Sequence, residues 1–370
     1  MFDALPKPLN FAIPFLIVLG VLVFFHELGH YLAARWRGVH VETFSIGFGR
    51  SLATWRDKRG TLWKLSWIPL GGYVKLHGQE RPEDVSDEVR AAWLPGVTFH
   101  EKSVTSRAIV VAAGPVANFI LAIVMFAALF ATAGEPVILP EIGDVLAGSA
   151  AAHAGLQTGD RVETIDGQPT ARFEDIQHIV AAHPGAPLTL QIRRGDATQT
   201  VDLTTDTRDV GGRQIGSLGV TAHAAEYHRL PVPAAIVAGT MHTWDVLAQT
   251  VAGLWQIITG KTGAEALGGP LGIAKLSGQA AEQGLPTLVD FIAVLSVNLG
   301  LINLFPIPIL DGGHLLFFLA EAVRGRPLPA RAVEYSFRAG LALLVGLFVF
   351  ATWNDLSHLG LVHWVQGLMG

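Results

Sequence analysis

Three residues near the N-terminus could do hydrolytic chemistry together: His26, Glu27 and His30, in the run His26-Glu27-Leu28-Gly29-His30. Residues four apart on a helix share a face and are offset by about 6 Å along its axis, so both imidazoles can reach one metal ion. Glu27 beside them can take a proton from a metal-bound water, whose pKa a zinc site lowers to about 7. A catalytic zinc usually has three protein ligands and one open position. The chain has no cysteine, so the third ligand must be His, Asp or Glu. Asp311 is the candidate, in Asn303-Leu304-Phe305-Pro306-Ile307-Pro308-Ile309-Leu310-Asp311-Gly312-Gly313. Pro306 and Pro308 break helical hydrogen bonding at the end of an apolar run, and unwound backbone at membrane depth is tolerated only where it is buried or lines a cavity. The alternative, that His26 and His30 merely reach for the interface beside Arg35, leaves three costly ionisable groups at the end of an apolar helix without a use. His314 reads as an outer neighbour of Asp311 or a solvated side chain. His153, His178 and His183 read as surface residues.

The elements that must position these groups are membrane helices. Half of the 370 residues are apolar and only 15% are charged, which places the chain in the membrane class. A net charge of −5 with scattered basic residues excludes a nucleic-acid partner. A span needs about 20 apolar residues, and about four stretches approach that length: Phe11 to Ala34, Ala108 to Ala133, Leu288 to Phe305 and Ala339 to Trp353. The first follows Lys7 like a signal peptide but flows into His26 without a small-residue cleavage site, and is expected to be retained. A further segment, Ala234 to Ile258, carries His242, Asp245, Gln249 and Gln256 among apolar residues and reads as an amphipathic helix on the outer surface. Basic residues gather between spans one and two, among them Arg35, Arg37, Arg56, Arg81, Lys102 and Arg107, and between spans three and four, at Arg324, Arg326, Arg331 and Arg338. By the positive-inside rule both loops face the cytoplasm, with the N-terminus and the segment between spans two and three outside.

That outer segment is more polar and turn-rich, and its alternation at Leu188 to Ile192 and Thr200 to Leu203 predicts strands, with a helix over Phe173 to Ala182. The expected organisation is residues 1–134 with two spans, the zinc motif and a β-hairpin; 135–227 as an inserted domain; 228–285 as surface helix and linker; and 286–370 with the last two spans. The hairpin is read from Leu62 to Trp67 and Tyr73 to Leu76, flanking Ile68-Pro69-Leu70-Gly71-Gly72, and is too apolar for an ordinary cytoplasmic loop.

His-Glu-x-x-His in a first membrane helix, Asn-x-x-Pro-x-Pro-x-Leu-Asp-Gly in a later one, and the run Ala154-Gly155-Leu156-Gln157-Thr158-Gly159-Asp160-Arg161-Val162-Glu163-Thr164-Ile165-Asp166-Gly167, similar to a PDZ signature, together resemble the site-2 protease family, most closely its bacterial regulator-of-sigma-E protease branch. The resemblance implies an α-helical polytopic membrane protein of about four spans, with a membrane-associated β-hairpin and an extracytoplasmic PDZ domain of α+β type, in the bacterial inner membrane with its active site towards the cytoplasm. It implies one Zn2+ per chain on His26, His30 and Asp311, Glu27 as the base, and substrate contacts at Asn303, Pro306, Pro308, Gly71, Gly72 and Tyr73. Gly114-Pro115-Val116-Ala117-Asn118 resembles the family's second-helix motif, or is simple packing by small residues. The implied partners are the lipid bilayer and single-span membrane proteins, namely anti-sigma factors already trimmed outside the membrane, or remnant signal peptides. Members of this branch carry two PDZ domains in tandem, and this chain shows one. The rival readings are a non-catalytic PDZ scaffold with a vestigial metal site, which has no need of Glu27, and a zinc transporter, which would spread polar residues along several spans. Oligomeric state is not legible.

Overall fold

The computed structural model describes residues 7–80, 85–210, 213–223, 226–263 and 268–358. Arg81, counted in the basic loop, lies outside them. The chain runs α1 (Lys7–Trp36), β1 (Val41–Arg56), β2 (Leu62–Leu76), α2 (Asp87–Ala91), α3 (Val104–Thr132), β3 (Glu135–Val137), β4 (Ile142–Val145), α4 (Ala150–His153), β5 (Arg161–Ile165), β6 (Gln168–Pro169) and α5 (Phe173–Ala181). It continues with β7 (Pro187–Arg194), β8 (Ala197–Thr204), β9 (Asp206–Val210), β10 (Arg213–Ser217), β11 (Val220–Ala222), β12 (Glu226–His228), α6 (Val232–Ile258), α7 (Pro270–Gln283), α8 (Leu285–Asn303), α9 (Asp311–Arg324) and α10 (Ala330–His358). These elements form two compact units, one of Met1–Ala128 with Pro233–Gly370 and the other of Leu129–Val232.

Among the described residues four helices are long and apolar enough to cross a membrane: Asn10–Trp36, Val104–Thr132, Leu285–Asn303 and Ala330–Ser357. They coincide with the four expected spans. The last is longer than its apolar run because α10 begins with Arg331, Glu334 and Arg338 before the run starts. Val18 and Leu22 of α1 pack on Ile292 of α8. Gly29 of α1 lies so close to α3 that a Cβ there would stand 2.2 Å from the Ala113 carbonyl oxygen, the close approach that small residues give to helices in lipid. α6 rests on two of the apolar helices. Its His242 ring meets Phe126 of α3 edge-on at 4.6 Å, and Thr250 Oγ1 donates to Asn298 Oδ1 of α8 at 2.8 Å. Asp355 near the end of α10 accepts from the Gly269 and Gly272 amides, both at 2.9 Å, and so caps α7.

The expected hairpin is corrected in its pairing. Leu62–Leu65 and Gly72–Lys75 do not pair with each other; both flank β1, whose residues Thr43 to Ile46 have partners on each side. Gly47 and Gly49, both at φ +85°, turn β1 back on itself, so that Ser51–Arg56 covers the far side of Leu62–Ser66. A hairpin read from one apolar stretch could not anticipate a third strand entering between its arms. Phe44 is fully buried in this sheet and stacks on Trp63 at 4.3 Å. The sheet is pinned to α1 by Asp57, which accepts from Tyr31 Oη at 3.1 Å and Trp63 Nε1 at 3.2 Å. Gly72–Leu76 is left as an edge, and Gly72 lies against Val23 and Glu27 of α1.

The second unit holds a four-stranded sheet in the order β6-β5-β7-β8, with α5 packed on a core that includes Val162, Ile165, Ile176, Leu190 and Ile192. The strands expected at 188–192 and 200–203 are β7 and β8, and the expected helix is α5. Asp166 and Gly167, at φ 50° and 77°, join β5 to β6 as the two-residue turn that an Asp-Gly pair favours. Asp160 is 1% exposed and holds Arg194 through two hydrogen bonds of 2.7 Å, while accepting from the Gln157 amide at 2.8 Å. Burial raises the Asp160 carboxyl, but Arg194 and the Gln157 amide outweigh it and hold the group below the ordinary aspartate range. The pair therefore stabilises the unit above the unfolded-state pKa, and that stability is lost as pH falls through the lower folded-state value. In the full chain at pH 7, Asp160→Asn is expected to lower the opening free energy of β5 and β7 by about 2 kcal/mol, allowing for the partial exposure of Arg194. Hydrogen exchange measures it, and unchanged protection of these strands would contradict the assignment.

Candidate metal centre

His26 and His30 lie one turn apart on α1, and Asp311 is the first residue of α9. The His26 and His30 Nε2 atoms are 3.2 Å apart, and Asp311 Oδ2 stands 3.2 Å from the first and 3.5 Å from the second. Three ligand atoms thus form a nearly equilateral triangle. In a tetrahedron the edge is about 1.63 times the centre-to-corner distance, so a common centre lies about 2.0–2.1 Å from each atom, the length of a zinc bond to imidazole nitrogen or carboxylate oxygen. Asp311 Oδ2 is buried with no hydrogen-bond partner, the condition of an acceptor kept for a cation. Among the described residues these three form the group able to hold a metal ion. Burial on its own raises the Asp311 carboxyl, but the two imidazoles beside it prevail and hold it well below the ordinary carboxylate range.

The backbone around Asp311 is folded tightly to aim it. A Cβ on Gly312 would stand 2.2 Å from the Phe305 carbonyl oxygen, and one on Gly313 2.4 Å from that of Ile307, so the loop after α8 folds back onto the start of α9. Ile309 sits at φ 99°, a conformation that a β-branched residue holds only when its surroundings impose it. On the other side, Gly114 of α3 leaves room for both rings, since a Cβ there would be 2.3 Å from His30 Nε2. The orientation of His30 is fixed because its Nδ1 faces the Val110 carbonyl at 2.9 Å, which leaves Nε2 for the centre.

A cavity of about 510 Å3 opens on this centre, lined by His26, Glu27, His30 and Asp311 and also by Gly72, Tyr73, Asn303 and His314. Val74 of the edge strand also lines it, and Gly72 there lies against the Glu27 side chain. Three of the six expected substrate contacts, Asn303, Gly72 and Tyr73, therefore face the cavity. The other three are not in its wall: Gly71, at φ +105°, lies under the Phe48 ring, Pro308 sets its carbonyl against Gly340 of α10, and Pro306 belongs to the folded-back loop. His314 lies in the wall but outside the ligand triangle, tilted against Phe337 at 5.4 Å, and burial holds its ring below the ordinary imidazole range. Sequence reading missed a clamp on α9. In that clamp Arg107 of α3 donates to Glu321 at 2.7 Å and lies 5.0 Å over the Phe318 ring. No spacing rule connects residues 214 apart, although Arg107 is a charge at the head of an apolar helix.

The sequence model of peptidase family M50 matches residues 14–347. A protein of Agrobacterium fabrum whose name contains the words zinc metalloprotease is 43% identical, over 95% of this chain and 96% of its own length. The regulator of sigma-E protease RseP of Salmonella typhimurium is 34% identical, over 93% of this chain and 98% of its own. Among solved structures, the PDZ domain of the SdrC-like protein from Listeria monocytogenes is similar to 23% of this chain, covering 87% of that domain at 20% identity with a TM-score of 0.21. With a family match over most of its length, two relatives aligned nearly end to end, and His26, Glu27, His30 and Asp311 around one cavity, the chain belongs to peptidase family M50.

Proposed function

We propose that this chain is a site-2-type zinc metalloendopeptidase that hydrolyses peptide bonds of single-span membrane proteins within or at the edge of the bilayer. The observation that carries the reading is the ligand triangle with Glu27 beside it in one cavity, with both histidines and Glu27 on a helix apolar enough to span a membrane. His26, His30 and Asp311 would hold one zinc ion, whose chemistry when bound would be to acidify a water molecule and polarise the scissile carbonyl. Glu27 takes the proton from the attacking water and returns it to the leaving amine. Its side chain lies against Gly72 of the edge strand, which sets the base and the strand edge side by side. A helical substrate hides its peptide bonds. Once unwound, it can lie along the open edge of Gly72–Leu76 as an added strand, with Tyr73 and Asn303 beside the scissile stretch.

The substrates in this reading are anti-sigma factors already trimmed outside the membrane, or remnant signal peptides, in regulated intramembrane proteolysis at the bacterial inner membrane. In this reading the metal centre is towards the cytoplasm and the PDZ-like segment outside, which the positive-inside rule supports through the basic loops. A non-catalytic scaffold would need neither an unpartnered Asp311 Oδ2 nor a carboxylate held beside the two imidazoles.

Glu27→Gln is expected to lower cleavage of a single-span substrate by about a thousandfold while zinc content stays at one per chain, because the base is lost and the ligands remain. Cleavage at the wild-type rate would end this mechanism. For topology, the cysteine-free chain allows single labels. Arg56→Cys and Arg331→Cys should be shielded from an impermeant thiol reagent in intact cells, and Asp196→Cys should react. The reverse pattern would invert the proposed orientation.

A further inference from the structure

We propose that Asn118 is a positioning residue for the metal: its side-chain carbonyl oxygen, rather than its NH2, faces His26 Nδ1 and accepts that ring's N–H. Asn118 is fully buried on α3, and its backbone carbonyl accepts from Ser296 Oγ of α8 at 2.8 Å, so a second helix fixes its place. Its amide nitrogen is set 3.2 Å from His26 Nδ1, while its Oδ1 is buried with no partner. The oxygen and nitrogen of an amide exchange places by a half-turn of the last torsion, and the hydrogen-bond network decides between them. No hydrogen bond holds Oδ1 in its present place, so none opposes the half-turn.

The His26 ring decides the matter, granted the zinc reading above. An NH2 donating to Nδ1 would force the ring proton onto Nε2, the atom that stands 3.2 Å from both His30 Nε2 and Asp311 Oδ2. A proton there occupies the point where three ligand atoms converge. With Oδ1 towards the ring, Nδ1 carries the proton and donates it, and the Nε2 lone pair turns to the metal. His30 is already arranged in this way, with its Nδ1 on the Val110 carbonyl. Each imidazole thus gives its Nδ1 proton to an oxygen on α3, a backbone carbonyl for one ring and a carboxamide for the other, the arrangement that orients metal-binding histidines and strengthens them as ligands.

The test uses the full-length purified chain and the metal alone. Zinc affinity is measured by competition with a chelator, ligand geometry by the visible spectrum of the Co2+-substituted protein, and folding by melting of the metal-free form. Asn118→Leu should weaken zinc binding about 10- to 100-fold. Asn118→Asp, which can only accept, should bind zinc at least as tightly as the wild type and keep its cobalt spectrum. Asn118→Leu within about threefold of the wild type would overturn the inference. So would Asn118→Asp weakened as much as Asn118→Leu, the result expected of a lost NH2 donor. If the Leu variant does not fold, the Asp variant decides alone. A wild type that takes up no zinc would defeat the metal reading itself, and the inference with it. A zinc-binding wild type with an indifferent Asn118→Leu defeats the inference only.

Discussion

An imidazole or carboxylate at the end of an apolar helix is tolerable only where protein groups replace the water it has lost. His26 and His30 receive that replacement from α3 and α9, through the Val110 carbonyl, the Asn118 amide and the Asp311 carboxylate. Those partners are within reach because α1 and α3 touch backbone to side chain at Gly29, with Ala113 and Ala117 opposite, and because Gly114 leaves a hollow under the two rings. The electrostatics of the centre and the small residues of the helix interface are one arrangement. A larger side chain at either glycine would separate the rings from the groups that compensate their burial.

The turn between α8 and α9 meets the same demand from the other side. A helix continuing past Asn303 would satisfy its own carbonyls but carry Asp311 away from α1. Pro306 and Pro308 interrupt it, Gly312 and Gly313 let the chain fold onto itself, and Ile309 is held in an unfavourable conformation as part of that fold. Such local strain persists where surrounding packing outweighs it. Here the packing includes Gly340 of α10 against Pro308, and the Arg107 to Glu321 clamp that fixes the far end of α9.

Much of this was legible in the sequence because it obeys short-range rules. Four apolar runs of the right length, two histidines one helical turn apart, and a proline-broken segment ending in Asp311 each announce themselves within a window of 5 to 25 residues. The alternating strands β7 and β8 and the helix α5 were visible for the same reason. What escaped depends on tertiary pairing. Nothing in Leu62 to Leu76 shows that β1 will enter between its two arms, and nothing in Arg107 points to Glu321. Asn118 stood out only as the last residue of a motif. Its meaning depends on which nitrogen of the His26 ring it faces, a contact between helices that no window of sequence shows.

The sheet beside α1 has a consequence for how this chain can change over time. In a strand, successive amides point to opposite edges, so a slip of one residue would exchange the backbone groups that Gly72–Leu76 turns to its open edge with those it turns to β1. The pairing of Thr43 to Ile46 on both sides makes such a slip costly, because two ladders would have to shift together. Leu52 and Trp67 are exposed and free to vary in kind. The spacing between them is not free to vary, and the stretch from Val41 to Leu76 should accept new side chains far more readily than insertions or deletions, although its middle lies well away from the metal ligands in sequence.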